Sequence, residues 1–404
     1  MLQKIIHRLL LRRHFWRYAT FSEVAELYAS RTLRMMAIGM TAIFMSVFLY
    51  QNGYSVLFIA GYWVVYYCFK FVISLPSAKY AAVYGPKHGI LLSNLLYIPS
   101  MVLFSFTPQL GLAAIVITGL LQAVSTTLYD LCHLIDFSRV KNVEHAGKEI
   151  AYMNIFDKAA KSLSPLLGGA VAVLISPQAT MWTAALLFLI ASLPLFKTGE
   201  PIATKQRLVF RGFPWRLVWR SFVAEVGVGF DLVSSTGIWL LMVAVLILGT
   251  GSNQVYVELG ALMSVVLVVA LLSSYLYGLL IDKKRGGQLL KIMATVNASL
   301  HLVRPFIQSP GAVVGMNAVN EVATTGYAMA FMRGIFDTAD LSGHRVTYLG
   351  CIEMFFALGM VLAAVTFFAF VALFGDEHGM RLFFFVAAPV TLLIASPKFR
   401  LYQK

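Results

Sequence analysis

Apolar runs of roughly 18 to 25 residues, each long enough to cross a hydrocarbon layer of about 30 Å as a helix, recur along the whole of this 404-residue chain. A backbone inside hydrocarbon must satisfy its own hydrogen bonds, which leaves helices or a closed barrel. The segments are continuously apolar and do not alternate with period two, so a barrel is excluded. Residues of the set AVILMFWYC make up 59% of the chain and charged residues only 12%, against about 25% charged in a soluble domain. A water-soluble globule is ruled out, and the fold class is an all-α polytopic membrane protein.

The pattern places spans at 33–50, 55–75, 88–106, 110–131, 152–175, 180–196, 222–248, 254–277, 288–306, 312–332, 347–373 and 380–396. Turns that follow the odd-numbered spans are short and free of Lys and Arg, as in Thr107-Pro108-Gln109 and Ser309-Pro310-Gly311. All of the 32 basic residues except Arg304 and Arg381 belong to the other side or to the termini. By the positive-inside rule both termini are expected in the cytoplasm, with the protein in the plasma membrane, the inner membrane if the source is bacterial. The formal net charge of +14 and pI near 9.7 therefore report topology and attraction to anionic lipid, and no nucleic-acid partner is expected. Cys68, Cys132 and Cys351 are scattered in the apolar segments, which suggests neither a disulfide framework nor a metal site.

Residues 1–32 mix Leu, Ile, Phe and Trp with Lys4, Arg8, Arg12, Arg13 and Arg17, as expected for an amphipathic segment on the cytoplasmic membrane face or a disordered basic tail. A six-helix unit over 33–196 and a second over 222–397 flank a basic linker at 197–221, and 398–404 form a short tail. A repeat supports two halves. Trp16-Arg17 and Val24-Ala25-Glu26 recur at an offset of 199 as Trp215-Arg216 and Val223-Ala224-Glu225, each pair just ahead of a six-span half.

Between spans eight and nine runs Gly278-Leu279-Leu280-Ile281-Asp282-Lys283-Lys284-Arg285-Gly286-Gly287. It resembles the loop signature of the major facilitator superfamily, with one extra residue between Asp282 and the glycines. The matching stretch between spans two and three keeps Lys79, Gly85 and Lys87 but has Ala82 at the acidic position. The resemblance implies two pseudo-symmetric six-helix bundles rocking about a central site, these loops acting as gates, and a monomer. Ser164-Pro165-Leu166-Leu167-Gly168-Gly169 in span five is similar to the helix-five motif of drug/proton antiporters in that superfamily. Pro165, Gly168 and Gly169 are read as an antiport element or as a packing kink.

Charged groups inside apolar spans are functional hypotheses by default. Glu26, Glu23, Arg34 and Arg31 share one face about 140° wide at about 100° per residue, lining a cavity or a wet helix entrance. Asp231, Asn317, Asn320, Glu321 and Glu353 lie deeper, and His301 and Arg304, spaced i, i+3, lie near the outer end of span nine. Asn317 and Glu321, spaced i, i+4, can face one cavity. Glu321 is the first choice for a proton carrier, and a fixed interhelical bond is the competing reading of each residue. Tyr129 to Arg139, with Asp157, Lys158 and Lys161, form a candidate inner gate or an interfacial cap. Tyr28, Phe44, Phe230, Trp239 and Tyr327 are candidate cavity aromatics.

No Gly-Lys-Ser/Thr phosphate loop occurs, and no cofactor is expected. The function expected is secondary transport of a small organic solute by alternating access, with protons as coupling ion and efflux preferred. A lipid-headgroup flippase, a membrane-embedded transferase and a non-transporting scaffold are the alternatives.

Overall fold

The computed structural model describes residues 21–140, 146–196, 208–264 and 266–403; the side chains of 21–27, 43, 139–140 and 146–150 are outside the description. Residues 1–20 of the amphipathic segment expected at the N-terminus and 197–207 of the linker thus lie outside the described residues, as do the side chains of Glu23 and Glu26.

Twelve long helices run in the described residues. The first half holds α1 (Phe21–Gln51), α2 (Val56–Tyr84), α3 (Pro86–Ser105), α4 (Leu112–Val140), α5 (Ala146–Leu174) and α6 (Pro177–Ser192). The second holds α7 (Trp215–Leu248) and α8 (Gln254–Asp282), each with an internal irregularity, then α9 (Gly286–Val303), α10 (Pro310–Ser342), α11 (Arg345–Phe374) and α12 (Asp376–Thr391). Nine of these are long and apolar enough to span a membrane by composition. The fifth, ninth and tenth are not among them.

The turns are built from short-range chemistry. The hydroxyls of Ser55, Ser176 and Ser309 accept from the backbone N–H of Phe58, Ala179 and Ala312 at 3.1, 3.0 and 3.4 Å, so each starts its helix with a capped first turn. Pro177 and Pro310 stand in first turns, where a missing N–H costs nothing. Gly85 turns α2 into α3 with φ of 94°, a region that L side chains avoid.

The halves meet lengthwise, α2 against α11 and α5 against α8. Small residues allow the second contact. A Cβ on Gly169 would lie 2.5 Å from the Tyr256 carbonyl oxygen, and one on Gly260 would lie 2.5 Å from that of Pro165. The opposite side of α5 is as close to α1, where a Cβ on Gly168 would meet the Met40 carbonyl oxygen at 2.5 Å. The helix continues through Pro165, so Pro165, Gly168 and Gly169 make α5 a slab between α1 and α8.

The halves touch at both ends of the bundle. At the outer end Gln51 Nε2 donates to the carbonyls of Thr250 and Ser252 at 3.1 and 3.2 Å, and Tyr256 donates its hydroxyl to Gln51 Oε1 at 2.7 Å. At the inner end Phe137 of α4 meets Phe336 of α10, ring centroids 5.5 Å apart.

Overpacking of such a contact costs about 1–3 kcal/mol. Gly168→Val is expected to lower the thermal midpoint in detergent clearly, and Gly315→Ala, in open space, to leave it within about a degree. A Gly168→Val protein that melts with the wild type would contradict the packing described.

Candidate functional site

At 1.5 Å rise per residue, Arg31, Arg34, Lys70, Asp130, Asp157, Lys158, Asp231, Glu321 and Glu353 fall within about 10 Å of the mid-height of their helices, and Arg304 stands just past the end of α9. They form three groups, distinguished by whether their partners belong to the same half.

The first group bridges the halves. Lys158 of α5 lies 2.7 Å from Glu321 of α10, whose Oε1 also accepts from Thr325 at 2.9 Å. Lys70 of α2 reaches Asp130 of α4 at 3.1 Å and Glu353 of α11 at 3.4 Å. Within the first half Arg31 forms a two-pronged ion pair with Asp157 of α5. The crossing contacts place Glu321 and Glu353 at the seam between the bundles, and Arg31 stands beside it through Asp157, the neighbour of Lys158. Asp157 and Lys158 stand at mid-height of α5, not at an inner gate.

The second group is internal to the second half. Asp231 of α7 accepts from His301 Nε2 at 2.8 Å, from Ser235 at 2.9 Å and from the Tyr327 hydroxyl. Arg304 donates to His301 Nδ1 at 3.0 Å, to Ser235 at 3.1 Å and to Asn320 Oδ1 at 2.7 Å. A guanidinium only donates, so Nδ1 is the accepting nitrogen and His301 is the neutral Nε2–H tautomer. Positive charge is thus relayed to the carboxylate by two routes, His301 and Ser235. The Asp231 side chain lies beside a widened π turn, Val233–Ile238, a feature common at functional positions. Asn317 is drawn away from Glu321: its Oδ1 accepts from Trp239 Nε1 at 2.8 Å.

The third group is internal to the first half. Arg34, fully buried, donates to Asn94 Oδ1 at 2.7 Å and to the hydroxyls of Ser125 and Ser93 at 3.3 and 3.4 Å. Both serines spend their own protons on backbone carbonyls, which leaves their oxygens free to accept. The guanidinium carbon stands 3.9 Å from the Tyr129 ring centroid and 5.3 Å from that of Phe188, a cation–π setting. Arg304 has the matching company of Trp239 and Phe384 at 5.3 and 5.5 Å. Each half therefore holds a fully buried guanidinium, Arg34 or Arg304, among its first, third, fourth and sixth helices. At the 199 offset Thr32 stands where the second half has Asp231, and no carboxylate among the described residues pairs with Arg34.

Arg31 and Arg34, expected on one face, thus serve different partners. Lys70 was not among the sequence candidates, although a lone lysine inside the apolar run around Tyr67 and Phe71 is itself a signal. Glu225, buried with one carboxylate oxygen unpartnered, was flagged only as the repeat counterpart of Glu26. Phe44, Phe230 and Trp239 pack on Tyr256, Phe383 and Phe384, as interior contacts. In the gate loops Gly278, Gly286 and Lys87 are buried, Asp282 is half-buried, and Lys79 and Lys283 are exposed. Gly286 faces the Tyr402 ring, whose hydroxyl donates to the Ala330 carbonyl at 2.9 Å. Among the described residues no cluster of three metal-ligating side chains occurs.

The family model described as Major Facilitator Superfamily matches residues 27–303. No curated protein matches the chain. Among solved structures, the human organic anion transporter MFSD10 (TETRAN) superposes with a TM-score of 0.70 at 13% identity, over 95% of this chain and 100% of that one. A bacterial homologue of the iron transporter ferroportin, outward-facing with soaked iron, gives 0.66 at 12% identity over 93% and 98%. The E. coli fucose:proton symporter FucP gives 0.63 at 14% identity over 92% and 97%. At these identities the likeness shows the fold.

The relay around Asp231 makes a stability prediction. Removing one member of a buried ion pair costs about 3–5 kcal/mol, and removing both costs far less. Asp231→Asn is expected to lower the melting point strongly, and Asp231→Asn combined with Arg304→Met to recover much of the loss. Melting of Asp231→Asn at the wild-type temperature would refute the relay.

Proposed function

The chain belongs to the Major Facilitator Superfamily and is a secondary transporter with a small-molecule substrate; on that premise we propose that it is proton-coupled, that it exports a small organic solute across the plasma membrane, and that Glu321 is the coupling carboxylate. Both termini are cytoplasmic in this reading, from the placement of Lys and Arg.

The observation that supports Glu321 is its ion pair with Lys158 across the two halves. Alternating access moves the bundles against one another about the midplane. The partners of Asp231 all belong to the second half, so that network travels as a unit and its surroundings stay the same through the cycle. The partner of Glu321 belongs to the other half. Parting α5 from α10 leaves an unpaired carboxylate deep in the protein, which is costly, and taking up a proton removes that charge. Proton binding and opening therefore favour one another, as linkage requires. Glu353 is the second group of this kind, through Lys70. Export is supported by the likeness of Pro165-Leu166-Leu167-Gly168-Gly169 to the antiporter motif, and by the close contacts that helix makes with α1 and α8.

The test needs no identified solute. Spin labels at Asn52 and Ser252, on the outer turns, report separation of the halves in a Cys68→Ser background. Glu321 is faced by Lys158, Thr325 and, through space, Lys161. The carboxylate takes up a proton more readily once parted from Lys158 than while paired with it, so lowering the pH from 8 to 4 favours the parted form and should widen the distance distribution. Glu321→Gln should show the low-pH distribution at every pH. Distributions independent of pH in the wild type, or a pH response retained in Glu321→Gln, would contradict the assignment.

A further inference from the structure

One cation at the seam is left over. Lys161 lies one turn beyond Asp157 and Lys158 on α5, and its side chain is exposed. At about 100° per residue, Asp157 and Lys158 stand about 40° and 60° to either side of it, facing α1 and α10 through their ion pairs. The lipid-facing residues of the same helix, Tyr152, Phe156, Leu163 and Leu167, are exposed and lie about 180–240° away on the same wheel. Lys161 therefore lies on the face that α5 turns toward α1 and the second half, away from lipid. Asp157, Lys158, Arg31 and Asp130 are all near enough to act on it through space, yet among the described residues no carboxylate comes within ion-pair distance. The four carboxylates at the seam are already engaged: Asp157 by Arg31, Glu321 by Lys158, and Asp130 with Glu353 by Lys70.

We infer that Lys161 is the anchoring group for the transported solute and that the solute is an organic anion, its carboxylate or comparable oxyanion seated on the Lys161 ammonium between α5, α1 and α10. An accessible ammonium without a counterion at mid-membrane is a strong site for an oxyanion, because a charge-assisted hydrogen bond there competes with little water. The flanking pair Lys158–Glu321 links occupancy to movement: an anion on Lys161 sits beside the contact that must break when the halves part. The inference rests on the transporter reading in taking this seam as the transport path.

The test uses the full-length protein in nanodiscs and three aromatic probes of similar shape, benzoate, benzamide and benzylamine. Benzoate is expected to raise the melting temperature while benzamide and benzylamine do not. The benzoate midpoint should weaken about tenfold or more in Lys161→Gln and be kept in Lys161→Arg. Reductive methylation of Lys161 in the unmutated protein, read by mass spectrometry, supplies a measurement independent of folding: benzoate should slow it and benzamide should not. No preference for benzoate over benzamide, or an unchanged midpoint in Lys161→Gln, overturns the assignment. Benzoate protection together with a pH-insensitive separation of the halves would remove the proton coupling and leave this site standing. The opposite pair of results would remove this site alone.

Discussion

A charge in the middle of a bilayer must find a partner or an aqueous opening, and the arrangement of this protein follows from how each buried charge meets that demand. The second half meets it internally: Asp231 and Arg304 share one network through His301 and Ser235. The first half holds Arg34 with neutral oxygens and aromatic faces. At the seam, beside the pairs Arg31–Asp157 and Lys70–Asp130 within the first half, the demand is also met by reaching across, from Lys158 to Glu321 and from Lys70 to Glu353. A bond within one half is indifferent to the motion of the halves. A bond between them is made and lost with it.

The helices that carry the crossing contacts are those that pack the halves together. Helix α5 lies against α1 through Gly168 and against α8 through Gly169 and Gly260, and it also carries Asp157, Lys158 and Lys161. Close backbone approach fixes the axis of α5 relative to both halves. Its charged side chains are thereby held at the seam, two engaged and one on the face turned toward α1 and the second half. Packing and electrostatics are joined in this one helix.

The sequence was most informative about what depends on one segment at a time. Span number and turn positions follow from apolar runs and from Gly, Pro and Ser at their ends, and they agree with the helices found. Two-half organisation was legible from the linker and the Glu26 and Glu225 repeat. Partner choice was not. Arg31 and Arg34 are three residues apart, and a helical wheel places them about 60° from one another; that difference sends one to α5 and the other to α3 and α4. Asn317 and Glu321 share a face by spacing, yet a tryptophan on α7 takes one and a lysine on α5 the other. Such pairings depend on helix order in space, which periodicity does not encode. Lys70 was legible in principle, as a lone charge in an apolar run.

The central claim is that an ion pair between α5 and α10 holds the halves together. The most direct measurement is a charge exchange, comparing Lys158→Glu, Glu321→Lys and the protein carrying both, by the separation of spin labels on the outer turns at neutral pH. Each single variant places like charges together and should spread the distances, and the double variant should restore the narrow wild-type distribution. A double variant as spread as either single one would contradict the account.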